Sequence, residues 1–408
     1  MYVQEVPSAV KAIAGVSTST PGFIGLVPDK VHQVAKQQAA PGYKFIDYNV
    51  PTAAKTPKFV TNFTQFTQLF GDLMWGGDPA ATASTDSGAA IDSGHRRLWH
   101  AVYGFFNNGG SSCYVARVTD DTEIDATLNA FAAIDEIAMV CFPGDTDSAT
   151  YGKLVDHCAA TGDRFAILDA PSTIDDLGKL TKIPSAGGVA PANTDLAAWY
   201  FPWIRQFDPA AKLVAGGDGL VDAPPSGHMA GIYARVDNDK GVHKAPANEV
   251  VRGALDVTAK LSKADQDLLN PKGVNCIRVL NGNILAWGAR TVGGDANADL
   301  KYINVRRTLL FLRESIDEGT QWVVFEPNTP ALWQKIARNV TAFLTNVWRS
   351  GALFGTTAAE AFYVKCDAET NPPELREVGQ VVTEIGVAIV RPAEFVIFKL
   401  SQFTAPGK

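Results

Sequence analysis

Between Leu300 and Phe362 the apolar positions repeat with a helical period, break, and repeat again. Tyr302, Val305, Leu309, Leu312 and Ile316 are three or four residues apart, which places them on one face of a helix. Gly319 is expected to stop that helix, as glycine after a last turn commonly does. Gln321 to Phe325 (QWVVF) reads as a short apolar strand. Asn328-Thr329-Pro330 then opens a second helix. Thr329 can cap the free N–H groups, and Pro330 suits the first helical position, where no N–H is needed. Leu332, Ile336, Val340, Phe343 and Val347 form its apolar stripe. Lys335, Arg338 and Arg349 fall roughly opposite when wound at about 100° per residue.

Both chain ends carry apolar runs without a local partner. Tyr2 to Val6 (YVQEV) is a strand candidate ended by Pro7, and Glu394 to Phe403 (EFVIFKLSQF) is apolar on both sides along its middle. A lone strand leaves its N–H and C=O groups unpaired unless another sheet edge accepts them. Gly22 to Val27 reads as a buried strand, while Pro28 to Pro57 is poorly periodic and expected to be loop. Phe59 to Gly71 suggests a strand end and a short helix. Gly76 to Gly94 is loop by composition.

From Leu98 the pattern becomes regular. A helix over Leu98 to Asn107 is followed by strands at Cys113–Val118, Ile137–Phe142 and Phe165–Asp169, with helices at Glu123–Ala133 and Thr150–Ala160 between them. Apolar strands alternating with amphipathic helices imply parallel crossovers and a sheet covered on both faces. Asp175 to Asp195 is Gly/Ala/Pro-rich. Trp199 to Val214 reads as a strand region, and shorter strands follow at Cys276–Leu280 and Ile284–Trp287. Val378 to Val390 is expected to be a strand, separated from the last run by Arg391-Pro392, because proline cannot donate to a continuous ladder.

The chain has 408 residues, so two or three domains are expected, and 46% hydrophobic residues suffice for sizeable cores. Only 19% are charged, a shortfall that deep burial or extensive subunit contact would explain. Net charge −7 without a basic cluster argues against nucleic-acid binding. Against that background, no Asp or Glu occurs from Pro327 to Ala359. The cationic strip there points to an acidic partner surface; a solvated helix face is the plain alternative. The five cysteines form no CxxC, and Cys113, Cys141 and Cys276 lie in strand-like runs, the pattern of reduced, buried thiols. The N-terminus lacks a secretory pattern and no apolar run reaches membrane-span length. Synthesis and folding in the cytosol, with no direct membrane insertion, are expected.

Candidate chemistry is sparse. No GxxxxGK[ST], GxGxxG, GxSxG or HExxH motif occurs. His95 and His100 are five apart, one residue beyond a helical metal pair. His157 and Cys158 are adjacent, so their side chains diverge. Asp237-Asn238-Asp239-Lys240-Gly241 resembles the start of a calcium loop, but the glycine falls one place early and the closing glutamate is missing. An Asp/Asn/Gly turn is expected instead. No catalytic, cofactor-binding or metal-binding residue is assigned.

Several separate passages resemble the contractile tail sheath family, whose members surround the tube of contractile phages, R-type tailocins and extracellular contractile injection systems. They are YVQEVPSAVKAIAGVSTSTPGFIGLV at the start, PSGHMAGIYARVDNDKGVHKAPAN at Pro225–Asn248, the Cys276–Arg290 stretch, and INVRRTLLFLRESIDEGTQWVVFEPNTPALWQKIARNVTAFLTNVWRSGALFG at Ile303–Gly355. The resemblance implies a mixed α/β fold. In it, residues 1–20 form an N-terminal arm, 21–56 the first part of a core domain, and 57–265 an inserted α/β middle domain. Residues 266–392 form the C-terminal core domain and 393–408 a C-terminal arm. It further implies a structural, non-enzymatic subunit that stacks as hexameric rings around an inner tube and meets baseplate and terminator or cap proteins. Tyr2, Val3, Gln4, Glu5, Val6 and Phe395, Val396, Ile397, Phe398, Lys399, Leu400 would be the inter-subunit strands. Lys335, Arg338 and Arg349 are the candidates for facing the tube. The alternatives are a soluble α/β enzyme with an unrecognised site and a sheath-related cap or baseplate protein.

Overall fold

The computed structural model describes residues 12–36, 42–78, 81–215 and 217–395. The first elements are β1 (Pro21–Leu26), β2 (Lys30–Lys36), β3 (Tyr43–Asn49), β4 (Lys58–Val60), α1 (Phe63–Phe70) and α2 (Ser93–Asn107). Next come β5 (Cys113–Val118), α3 (Ile124–Ala132), β6 (Met139–Cys141), α4 (Ser148–Thr161) and β7 (Phe165–Asp169). They lead to β8 (Ala197–Phe201), β9 (Ile204–Phe207), α5 (Pro209–Ala215), β10 (Leu220–Ala223), α6 (Ser226–Lys240), β11 (Glu249–Val250) and β12 (Asp256–Val257). The C-terminal third holds α7 (Lys263–Leu269), β13 (Val274–Leu280), β14 (Asn283–Ala286), α8 (Ile303–Thr320) and α9 (Pro330–Arg349). After these come α10 (Ala358–Ala361), β15 (Phe362–Lys365), α11 (Pro373–Glu377) and β16 (Glu384–Val387).

One large sheet organises the body, in the order β11-β14-β13-β8-β7-β6-β1-β5-β4. The six strands from β13 to β5 are parallel, with antiparallel strands at either side. β7 is buried at all five positions, as a strand covered on both faces must be. The expected βαβ alternation is therefore present. α6 lies against α2 at close range: a Cβ on Gly227 would come within 2.3 Å of the Ala101 carbonyl oxygen, so only glycine permits that approach.

β1 comes from the 21–56 segment and β13 and β14 from 266–392, yet both pair with strands of 57–265. The packing instead divides along α8. The large core runs from Phe23 to Leu310, whereas Leu312 belongs to a second cluster with Leu332, Ile336, Val340, Phe343 and Val347 of α9. All five apolar positions expected on that helix are buried.

Several local expectations are corrected. Pro28–Pro57 is not loop but holds the β2–β3 hairpin, whose Val31 and Val34 are buried in the large core. Trp199–Val214 divides into β8, β9 and α5. Asp237–Lys240 is not a turn but the last turn of α6, which Gly241 ends at φ 96°. Gly319 does not stop α8; the helix continues through it to Thr320. QWVVF is not a strand: Gln321–Val323 is a short 3-10 turn, and Trp322 and Val323 pack on the second cluster instead of pairing. In Val378–Val390 only β16 is a strand, antiparallel to β15.

Candidate assembly surface

Residues 13–18 and 390–394, the described segments nearest the two chain ends, meet the body at one helix. α8 buries a polar face as well as an apolar one: Asn304, Arg307 and Ser315 are buried. The entering N-terminal segment lies along that face. Ile13 sits against Gly319, where a Cβ would come within 2.6 Å of its side chain, and Gly15 sits against Phe311. The Val16 N–H donates to Ser315 Oγ at 3.1 Å. Arg307 then closes the run. Its Nη1 and Nη2 donate to Asp237 Oδ1 and Oδ2 at 3.0 and 2.7 Å, and Nη2 also donates to the Thr18 carbonyl at 2.8 Å. Thr18 Oγ1 donates back to Asp237 at 2.6 Å. The guanidinium lies 4.7 Å from the Tyr233 ring centre. Burial alone would lower the Arg307 pKa, but the charge and hydrogen bonds of Asp237 outweigh it and raise it.

The departing C-terminal segment is held at the other end of the same helix. Glu394 Oε1 accepts from Arg290 Nε at 2.8 Å and from Asn270 at 2.6 Å. Its Oε2 accepts from Arg290 Nη2 at 2.8 Å and from the Tyr302 hydroxyl at 3.0 Å. Tyr302 is the residue before α8, and Asn304 in its first turn donates to the Val390 carbonyl at 3.3 Å. Burial would raise the Glu394 carboxyl, but hydrogen bonds from Arg290 and Asn270 and the arginine charge hold it below the usual range. Sequence reading missed both clamps. Their partners are 70 and 104 residues apart, and nothing local distinguishes Arg307 or Arg290 from a surface arginine.

Of the expected arm residues, Tyr2–Val6 and Val396–Leu400 lie outside the described residues. Phe395 is described and is 70% exposed. Lys335, Arg338 and Arg349 are all exposed on α9, and none makes an ion pair among the described residues. The connection between α8 and α9 presents Val324 and, fully exposed, Phe325, whose φ of 68° is uncommon for a bulky residue. Behind it, Asn328 braces the turn by donating to the Gln380 carbonyl and accepting from the Trp333 indole. β15 and β16 pair only with each other along Phe362–Lys365 and Glu384–Val387, so both outer edges of this two-stranded sheet are open among the described residues.

The candidate catalytic and metal residues go elsewhere. His95 Nε2 meets the Gly71 carbonyl and His100 Nε2 meets Asp208, so the two rings share no ligand site. Cys158 is buried, and burial pushes its thiol up to about 12, far from a reactive thiolate. Asp237 is spent on Arg307. His32, Asp47 and Asp86 do cluster, but Lys30 Nζ lies 2.7 Å from Asp86 and 3.4 Å from Asp47 and supplies the cation these carboxylates need. At the carboxyl end of β7, Asp169 is fully buried and accepts from the Ser226 N–H and hydroxyl and the Gly144 N–H.

This body, with its helical C-terminal unit, has the fold of a contractile sheath protein. A chain of the anti-feeding prophage (AFP) helical sheath in its contracted state is 26% identical, with a TM-score of 0.71, each chain covered to 98%. A chain of the AFP baseplate, 6-fold symmetrised, is 27% identical at TM-score 0.71, covering 99% of this chain and 98% of that one. The protein belongs to the contractile tail sheath family: residues 120–292 match the phage tail sheath protein central domain, and residues 295–403 the phage tail sheath C-terminal domain. The tail sheath protein of Burkholderia phage BcepMu is 28% identical over 245 residues, 56% of this chain. The chain spans about half of that relative's length, 48%. No helix among the described residues is long and apolar enough to cross a membrane.

Proposed function

We propose that this protein is a structural subunit of a contractile sheath. It polymerises as stacked hexameric rings around an inner tube and contracts to drive the tube through a target envelope. The observation that carries this reading is the end-to-end correspondence with a chain of a contracted helical sheath. The open β15–β16 ladder supports it independently. Both outer edges are free among the described residues, and the chain has two apolar terminal runs without local partners. Strand addition from neighbouring subunits would complete the sheet through main-chain hydrogen bonds. A head-to-tail contact that does not close propagates as a helix.

The arms would be residues 1–20 and 393–408, with Tyr2–Val6 and Phe395–Leu400 as the exchanged strands. The unit from Leu312 to Ile389 would lie innermost, its acid-free helix turned to the tube through Lys335, Arg338 and Arg349. Baseplate and terminator proteins would end the stack, and particles would assemble in the bacterial cytoplasm. Contraction would release a kinetically held extended state, with new contacts between bodies as the driving force. No nucleotide step enters this scheme. Electron microscopy of the negatively stained protein tests it: striated cylinders support the reading, and small closed oligomers overturn it.

A further inference from the structure

We propose that the groove bounded by α7, β13 and residues 243–249 and 391–395 is a docking site for an acidic, extended peptide segment of another protein. The groove belongs to the folded chain itself, so the proposal stands apart from the sheath reading.

Four observations carry it. The first is size. The groove encloses about 1130 Å³, above the roughly 300–1,000 Å³ of small-molecule pockets, which suits a length of chain. The second is charge. Five Lys and Arg side chains line it against three carboxylates. Arg290 takes Glu394 and Lys244 takes Glu249. Lys263, Arg278 and Arg391 then face Asp267 alone, and the only carboxylate paired with Arg391 is Asp299, outside the lining. A local cationic excess on a chain of net charge −7 draws in an anionic partner.

The third observation is a pair of buried polar atoms left open. Asn270 Oδ1 and Arg278 Nε have no hydrogen-bond partner among the described residues, and Asn270 is only 8% exposed. Unmade bonds of this kind are costly. A peptide N–H can donate to the amide oxygen, and a carboxylate can accept from the guanidinium. Trp287 and Leu280, both half-buried, add apolar surface to the same lining. The fourth is a sheet edge. β11 ends the nine-stranded sheet with no strand on its outer side among the described residues, and its Glu249 lines the groove. An extended segment there can add a strand, with alternate side chains turned to the groove.

Charge also decides whose segment it is. Residues 396–408 carry two lysines and no Asp or Glu, and residues 1–11 carry one glutamate and one lysine. Neither end of this chain, from the same copy or a second one, matches a cationic groove.

Fluorescence anisotropy with the labelled hexapeptide Glu-Val-Glu-Val-Glu-Val on the purified full chain tests this. Saturable binding is expected, with the Lys-Val counterpart about tenfold weaker or more. Lys263→Glu and Arg278→Gln should each weaken the Glu-Val probe severalfold, and the pair about tenfold, with unchanged circular dichroism. Lys335→Glu, outside the groove, should leave it unchanged. Absence of binding, equal binding of the Lys-Val peptide, or full affinity in the double variant would overturn the proposal. Binding that appears only once residues 396–408 are removed would make the chain's own end the occupant and would overturn it too.

Discussion

Arg307 on α8 and Asp237 on the last turn of α6 face each other across two hydrogen bonds of 3.0 and 2.7 Å, with both side chains 4% exposed. Breaking a buried pair from one side leaves the other charge uncompensated. Arg307→Met and Asp237→Asn should each cost about 3–5 kcal/mol in urea unfolding. The double variant should cost clearly less than the sum, since neither charge is then stranded. Additive losses would show that the pair does not act as a unit.

Gly319→Ala is expected to destabilise despite the better helix propensity of alanine. The new methyl would meet Ile13 at 2.6 Å, and overpacking of this kind costs about 1–3 kcal/mol. A lower melting temperature and faster exchange at Val16 are the expected readouts.

That glycine also marks where the sequence was and was not legible. The stripe Leu332–Val347 was readable because its burial is local and periodic. The strands β5 and β7 were readable because both of their faces are covered. Gly319 reads as a terminator, but it is the slot for a residue 306 positions earlier. The polar burial of Asn304, Arg307 and Ser315 left no trace because its partners are equally remote. QWVVF has the composition of a strand, but Trp322 and Val323 pack on the second cluster while Val324 and Phe325 are exposed. The β2–β3 hairpin was missed because β2 buries Val34 and Ala35 in succession, which blurs a period of two.

Asp169 supplies a pH dependence of known sign. Burial, opposed by hydrogen bonds from Ser226 and Gly144, raises its carboxyl from 3.8 to about 6. The native state therefore holds more protons than the unfolded one between about pH 4 and pH 6, and stability falls as pH rises through that window. The span of roughly two pH units corresponds to roughly 3 kcal/mol. Glu394, held low, acts oppositely: its contribution is present at neutral pH and lost as pH falls through its depressed value. Asp169→Asn should lower stability overall, because an amide N–H would face a donor. It should also remove the slope between pH 4 and 6 in urea midpoints.

Reversing charge at Lys335, Arg338 and Arg349 should leave the isolated subunit within about 0.5 kcal/mol of the parent, since all three are exposed and unpaired among the described residues. Co-assembly with the tube protein should fall at least tenfold in a co-sedimentation assay. Unchanged co-sedimentation would remove these residues from the tube contact.

The two chain ends are proposed to complete the sheets of other copies. Electron microscopy of the full chain beside variants lacking residues 1–11 or 396–408 tests this most directly. Striated cylinders from the full chain, and dispersed soluble subunits with intact α/β circular dichroism from both shortened chains, are the predicted result. Cylinders that persist without either end, or a full chain that remains a self-contained monomer, would contradict it.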